Sequence, residues 1–370
     1  MKTINKGLLL LALATACNSA FAEEQEPGLK VFEASTPAKA SEVNHNFMYL
    51  DGRLATLENS SQAPVTEMSI DCSDNADALK AYLATLSSGN KATVIATGEC
   101  NGPLEISKDN LTVMGEDLTI IGQPEEDGSQ DELYAVIATG SSNLKLRNLT
   151  IQSGESFLAR GTNAKYIDVT MFQPESEVKD DGEVVHTPNV NVTRNASLRW
   201  EGSLTNLALR ASNNSYVRIH KGGGEPKQLE VVTNSSLESR LDELEVSDNV
   251  YVGTNSTLRV KNLIADSLWL DLGAALEGRI LSLDELLGLY TGSSMEVEAV
   301  HAKAMECHAS SFEVRGTINL SGNIEAETGD VSFEAHHGCS GEVGVALIAA
   351  EGMNIFASPI EVDGKYLEVE

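Results

Sequence analysis

Apolar residues recur along this chain in short clusters separated by polar pairs. Between 258 and 270, Leu258-Arg259-Val260, Leu263-Ile264-Ala265 and Leu268-Trp269-Leu270 are divided by Lys261-Asn262 and Asp266-Ser267. In the first and third segments two apolar residues flank one between them, the period-two pattern of a half-buried strand. The flanking leucines therefore predict that Trp269 points outward. An α-helix would need apolar spacings of three and four and would not tolerate a turn pair every five residues. Three short strands per coil of ~20 residues predict a β-solenoid.

The coil phase can be followed at Leu144, Tyr166, Leu198, Tyr216, Leu237, Leu258, Leu276, Met295, Phe312 and Val331, at intervals of 17 to 22 residues apart from one of 32. Such a period means stacked supersecondary units rather than one globular core. SNLKLRNLTI at 142–151 superposes without a gap on TNAKYIDVTM at 162–171, placing Asn143 over Asn163, Leu149 over Val169 and Ile151 over Met171. DNLTVMGEDLTIIG, from Asp109, is a third copy with two residues inserted. At the corners stand Asn143, Asn163, Asn195, Asn213, Asn234 and Asn255, replaced later by Gly273 and Gly292. Asn and Gly tolerate the left-handed backbone that a sharp bend requires, and stacked Asn side chains can bond to one another as a ladder.

Both ends of a solenoid need caps. SDNADALKAYLATLSS supplies a helix with Ser73 or Asp74 as N-cap and Leu79, Leu83 and Leu86 on one face. Upstream, Val43, Phe47, Leu50, Leu54 and Leu57 form an a/d seam, which predicts a heptad helix over 41–58. It serves either as a short coiled coil joining several copies into a homo-oligomer or as an amphipathic helix against its own solenoid. The expected organisation is a leader at 1–22, an N-terminal segment at 23–67, a cap at 68–100, a solenoid at 101–358 and a tail at 359–370.

The leader reading rests on Lys2 and Lys6, the apolar run Leu8 to Ala14 and the small-residue triplet Ala20-Phe21-Ala22. The alternative is cleavage before Cys17 with lipidation of that cysteine. No later segment has the ~18 consecutive apolar residues of a membrane-spanning helix. An exported protein, secreted, periplasmic or at the cell surface, is expected. Loss of the two leader lysines takes the formal charge from -29 to -31, which makes nucleic acid an unsuitable partner. Four cysteines remain, Cys72, Cys100, Cys307 and Cys339, enough for two disulfides. Of three connectivities, pairing of neighbours is the most economical.

The segments IDCSDNADALKAYL, IATGECNGPLEI, DNLTVMGEDLTIIG and NLKLRNLTI resemble the right-handed parallel β-helix, or pectate-lyase-like, superfamily of secreted proteins. The resemblance covers roughly 70–151 directly and implies an all-β fold of right-handed coils, with many functions open to it. The 30–60 region resembles segments of exported and phage-tail-like proteins.

Candidate chemistry lies where the coil rhythm breaks. Excursions begin at Pro124, run from Pro174 to Pro188, and return at 220–228. The first two leave after the second strand of their coils and should emerge ~10 Å apart on one flank. A sugar-cleaving relative would place its cleft there, with Asp180, Asp181 and Glu183 beside His186 on one excursion and Arg218, His220 and Lys221 on the next. Asp180 and Asp181 could hold calcium or act as acid and base, and Arg218 or Lys221 could remove a proton beside a uronate. The alternative is a solvated acidic loop. Polygalacturonase-like members carry N-T-D, D-D, G-H-G and R-I-K in that order, which this chain does not. His336 and His337 beside Cys339 suggest a metal only weakly, because neighbours in a strand point to opposite faces. Without an assigned site, a solenoid works through its lateral surface, and the expected function is non-enzymatic binding or scaffolding, of carbohydrate or of another surface component. The competing function is a polysaccharide lyase or glycoside hydrolase acting on acidic polysaccharide.

Overall fold

Each coil buries its alternate residues against the coils above and below. In the coil 257–271, Leu258, Leu263, Leu268 and Leu270 are fully buried while Arg259 is exposed and Trp269 is half-buried on the outside. The computed structural model describes residues 65–87, 91–124, 133–172, 189–326 and 329–367. Among them the chain is a β-solenoid with one short helix, Ala78–Thr85. A 15-stranded sheet runs from Thr66–Asp71 to the hairpin Ile360–Val362 and Lys365–Tyr366. A second sheet runs from Leu104–Ile106 to Met353–Ile355, and a six-stranded third sheet spans Glu243–Glu245 to Ala346–Ala349. Every rung between successive coils is parallel. No described helix is long and apolar enough to cross a membrane.

The gapless twenty-residue match corresponds to physical register: Leu144 pairs with Ala164, Leu149 with Val169 and Ile151 with Met171. The two residues inserted in the Asp109 copy form an irregularity between Met114 and Leu118, where Asp117 has φ 58°. The coil phases at Tyr166, Tyr216 and Val331 require correction. Ala164, Val217 and Gly341 occupy those rungs, stacked on Leu198, Leu237 and Phe312. Val331 instead belongs to an antiparallel pair, Ile324–Ala326 with Gly329–Val331. This inserted hairpin stretches one coil and moves every later phase. Coil composition also varies. Upstream strands such as Leu144–Gln152 run straight through a left-handed bend at Asn148 (φ 50°), and in the coils of Leu198 and Val217 the middle segment is irregular chain.

The corner residues Asn143, Asn195, Asn213, Asn234 and Asn255 have φ between 54° and 63°. At Asn163 the expected bend is displaced to Arg160 and Gly161, at φ 55° and 78°, because Asn163 already lies within the strand Asn163–Phe172. An amide-to-amide rung joins Asn143 to Asn110 at 3.0 Å. Elsewhere the stack is carried by the next residue, a buried serine. The hydroxyl of Ser235 accepts the backbone N–H of Ser215, that of Ser256 accepts Ser235 and that of Ser310 accepts Ser293, at 3.1, 3.1 and 3.2 Å. These bonds satisfy donors that a corner would otherwise strand.

Cys72 bonds to Cys100 and Cys307 to Cys339. The capping helix starts at Asp77 rather than at Ser73 or Asp74. The disulfide and the bond from Cys72 N–H to the Thr97 carbonyl hold the preceding chain on the sheet, and Asp77 spends its carboxylate on the Asn101 amide. Leu79 and Leu83 close the end of the core. At the other end, the expected tail contributes the last parallel strand of the first sheet, Ile360–Val362, and the antiparallel strand Lys365–Tyr366 that closes it. The leader with Cys17 and the heptad segment 41–58 lie outside the described residues.

Candidate functional site

The strongest concentration of chemistry lies on the outward face of the second sheet, over its C-terminal coils. One outward row, rung by rung, is Tyr251, Trp269, Gly288, Glu306, Glu334 and Asn354. Two residues further along each strand runs a second row with Tyr290 opposite His308. Alternation dictates this: Leu268 and Leu270, or Leu287 and Leu289, enter the core and turn the residues between and after them outward. Tyr290 and His308 have ring centroids 5.3 Å apart, His308 and His336 stack at 3.8 Å, and His336 and Phe356 stack at 5.1 Å. A half-exposed ring thus stands on every coil from Tyr251 to Phe356.

Gly288 makes room in this strip. A Cβ there would come within 2.5 Å of the Tyr290 ring and 2.8 Å of the Trp269 ring, so both rings lie against its bare backbone. Carboxylates line the rings. The Tyr290 hydroxyl donates to Glu306 at 2.5 Å, and His336 Nε2 stands 3.3 Å from Glu334, which is itself buried. Burial, and then the neighbouring Glu306, push the Tyr290 hydroxyl above the ordinary phenol range.

His308 is held below the usual imidazole value, first by burial and then by the charge of His336, against the opposing pull of Glu306 and Glu334. The unfolded chain therefore takes up this proton first, near pH ~6.5. The neutral stack contributes stability above that pH and loses it as the pH falls toward the folded-state value. We expect the fall in melting temperature between about pH 7 and pH 5 to be smaller in His308→Phe, which keeps a stacking ring without the titration.

The sequence candidates are dispersed. Asp180, Asp181, Glu183 and His186 lie outside the described residues. Arg218 is on the outward face of the first sheet, bonded to Glu238 at 2.9 Å and to the Tyr216 hydroxyl at 2.7 Å. These partners, Glu238 first, raise its pKa and keep it charged. Lys221 lines an open groove of about 610 Å³ with Asp168, Glu201 and Thr205. His220 is held below the usual imidazole range, mainly by burial. The strand ends at Ile121, Gln152 and Phe172 share one rung column, so the first two excursions leave the same flank. The third leaves earlier in its coil, after Lys221, whose rung partner Glu201 stacks on Ile167 rather than on Phe172. His336 is in the aromatic stack while His337 is exposed, and among the described residues no group of three His, Cys, Asp or Glu could hold a metal ion.

Tyr251, Tyr290, His308 and Phe356 are not singled out by the sequence, and His336 is weighed there only as a metal ligand, whereas Trp269 is expected to face outward. Their signal is one ring per coil, in the first outward row at Tyr251 and Trp269 and two residues further along from Tyr290 onward. For His336 and Phe356 it becomes visible only when the hairpin at 324–331 is removed from the count. The chain matches no protein-family model, no curated protein and no solved structure.

Proposed function

We propose that the protein is an exported, non-enzymatic parallel β-helix that binds a linear glycan along the outward face of its second sheet. Right-handed coils of three segments are part of this reading, supported by the strong preference of parallel crossovers for that hand. Two disulfides support a life in an oxidising compartment, periplasmic or extracellular.

The observation that carries the reading is the continuous strip Tyr251, Trp269, Tyr290, His308, His336 and Phe356 with Glu306 and Glu334 beside it. Aromatic rings supply apolar contact to the C–H faces of sugars, and carboxylates accept hydrogen bonds from their hydroxyls. Rings repeating once per coil, ~4.8 Å apart, suit an extended polymer better than a single sugar. The acidic edge favours a neutral or amino polysaccharide over a uronate. The alternative, a lyase or hydrolase with calcium on Asp180 and Asp181, asks Arg218 or Lys221 to act as base. The ion pair of Arg218 with Glu238 opposes that role for Arg218.

The test is retention and turnover on immobilised polysaccharides of neutral, amino and uronate type, with and without calcium. Retention on neutral or amino polymers without cleavage is expected. Turnover of uronate polymers that disappears in Asp181→Ala would establish the enzyme reading instead.

A further inference from the structure

The outward face of the first sheet carries a single column of charge, one residue per coil. In rung order it is Lys145, Lys165, Arg199, Arg218, Glu238, Arg259, Glu277, Glu296, Glu313, Glu342 and Glu361. Four cations open the column, five carboxylates close it, and one alternating pair lies between. Like charges stacked at ~4.8 Å repel, and the chain relieves this only in part. Lys165 and Arg199 share Glu201 at 3.1 and 2.5 Å, Arg218 pairs with Glu238 and Arg259 with Glu277, each at 2.9 Å, and Arg315 serves both Glu296 and Glu313. Among the described residues Lys145, Glu342 and Glu361 form no ion pair. A cationic surplus is left at one end and an anionic surplus at the other.

We propose that this face binds a second copy of the chain, antiparallel, about a two-fold axis midway between the Glu238 and Arg259 rungs. Charge complementarity fixes the arrangement. The axis sets Glu238 opposite the second copy's Arg259, Arg218 opposite Glu277, Arg199 opposite Glu296, Lys165 opposite Glu313 and Lys145 opposite Glu342. Every pair is of opposite sign, and each occurs twice because the interface is isologous. A slip of one coil in either direction opposes Arg259 or Glu238 to its own copy. Parallel docking opposes like to like throughout.

The surface allows close approach. On one side of the column, from Glu238 to Glu342, lie small residues, Ser236, Thr257, Ala275, Ser294, Ser311 and Ser340, while Asn163, Ser197 and the half-buried ring of Tyr216 continue that row beside the cations. The carboxylate half borders an open groove of about 730 Å³, into which the lysines of the other copy can reach. On the other side, Arg240, Lys261 and Arg279 are turned to Glu238, Asp242 and Glu298 of their own chain. Ten rungs by a five-residue strand give ~50 by ~15 Å, on the order of 700 Å² per copy, within reach of a specific interface.

Sedimentation of the full chain tests this in about 0.1 M and about 1 M salt, where screening lengths are ~10 and ~3 Å. A dimer mass is expected in the first and a monomer in the second. Two variants then test the register: Lys145→Glu with Lys165→Glu, and Glu313→Lys with Glu342→Lys. Each alone should be monomeric with an unchanged circular dichroism spectrum, while an equimolar mixture should dimerise, because only the mixed pair restores every contact. A wild type monomeric at both salts would overturn the proposal, as would variants that still dimerise alone or a mixture that stays monomeric. Binding of polylysine to a chain that never dimerises would assign the face to a cationic partner instead.

Discussion

Replacing Cys72 and Cys100 together by alanine is expected to lower stability by about 3.5 kcal/mol, the chain-entropy value for a loop of this size. The pair is separated by 28 residues and is almost wholly buried. Its loop encloses the helix Ala78–Thr85, whose Leu79 and Leu83 cover the open end of the core. Without the bond, the cap is held mainly by those two leucines and by backbone contacts such as Cys72 N–H to Thr97. Alanine avoids placing an unsatisfied hydroxyl in the core. In a stack where each coil contacts only its neighbours, the loss should be felt first at this end. Denaturant unfolding should show the shift in midpoint, and hydrogen exchange should show it concentrated in the strands Thr66–Asp71 and Ala92–Asn101.

The second large effect is expected in the middle of the solenoid. Trp200 is fully buried, its ring 5.5 Å from that of Tyr166 on the neighbouring coil. Tyr166 is also fully buried, and its hydroxyl is 2.5 Å from that of Ser156. The two rings fill the core where the coil leaves for the 173–188 excursion. Trp200→Ala removes the larger ring and should cost about 3–5 kcal/mol, the range for emptying an aromatic site. Tyr166→Phe in that background should cost less than the two changes summed, since the residues share one space. Trp269→Ala, on the outside, should change the unfolding midpoint far less. Equal losses at the two tryptophans would contradict the inward and outward assignment.

Much of the fold could be read from the residues because a solenoid repeats its own physics. The gapless match of 142–151 on 162–171 is register made visible: both segments place apolar side chains on the same rungs and bend after the same number of residues. The phases at Tyr166 and Val331 failed for physical reasons as well. Small residues such as Ala164 and Gly341 fill core rungs that a search for large apolar residues passes over. The hairpin at 324–331 adds length without adding a rung. Ser235 and Ser256 carry no signal along the chain, yet the coil stacking makes them buried acceptors. The ring strip and the charge column depend on contacts between residues about one coil apart. Neither is a motif along the chain, and neither appears until the rungs are counted correctly.

The central claim is that the strip on the second sheet is the binding face, and tryptophan fluorescence tests it most directly. Trp200 is fully buried and Trp269 stands on the strip, so a ligand lying there should perturb one of the two and spare the other. Titration with soluble neutral and amino oligosaccharides is predicted to shift the emission of the wild type. The signal should vanish in Trp269→Phe, and Trp269→Ala should bind at least about tenfold more weakly, the equivalent of one lost stacking contact. Unchanged affinity in Trp269→Ala, for an oligosaccharide that the wild type binds, would place the site elsewhere on the molecule.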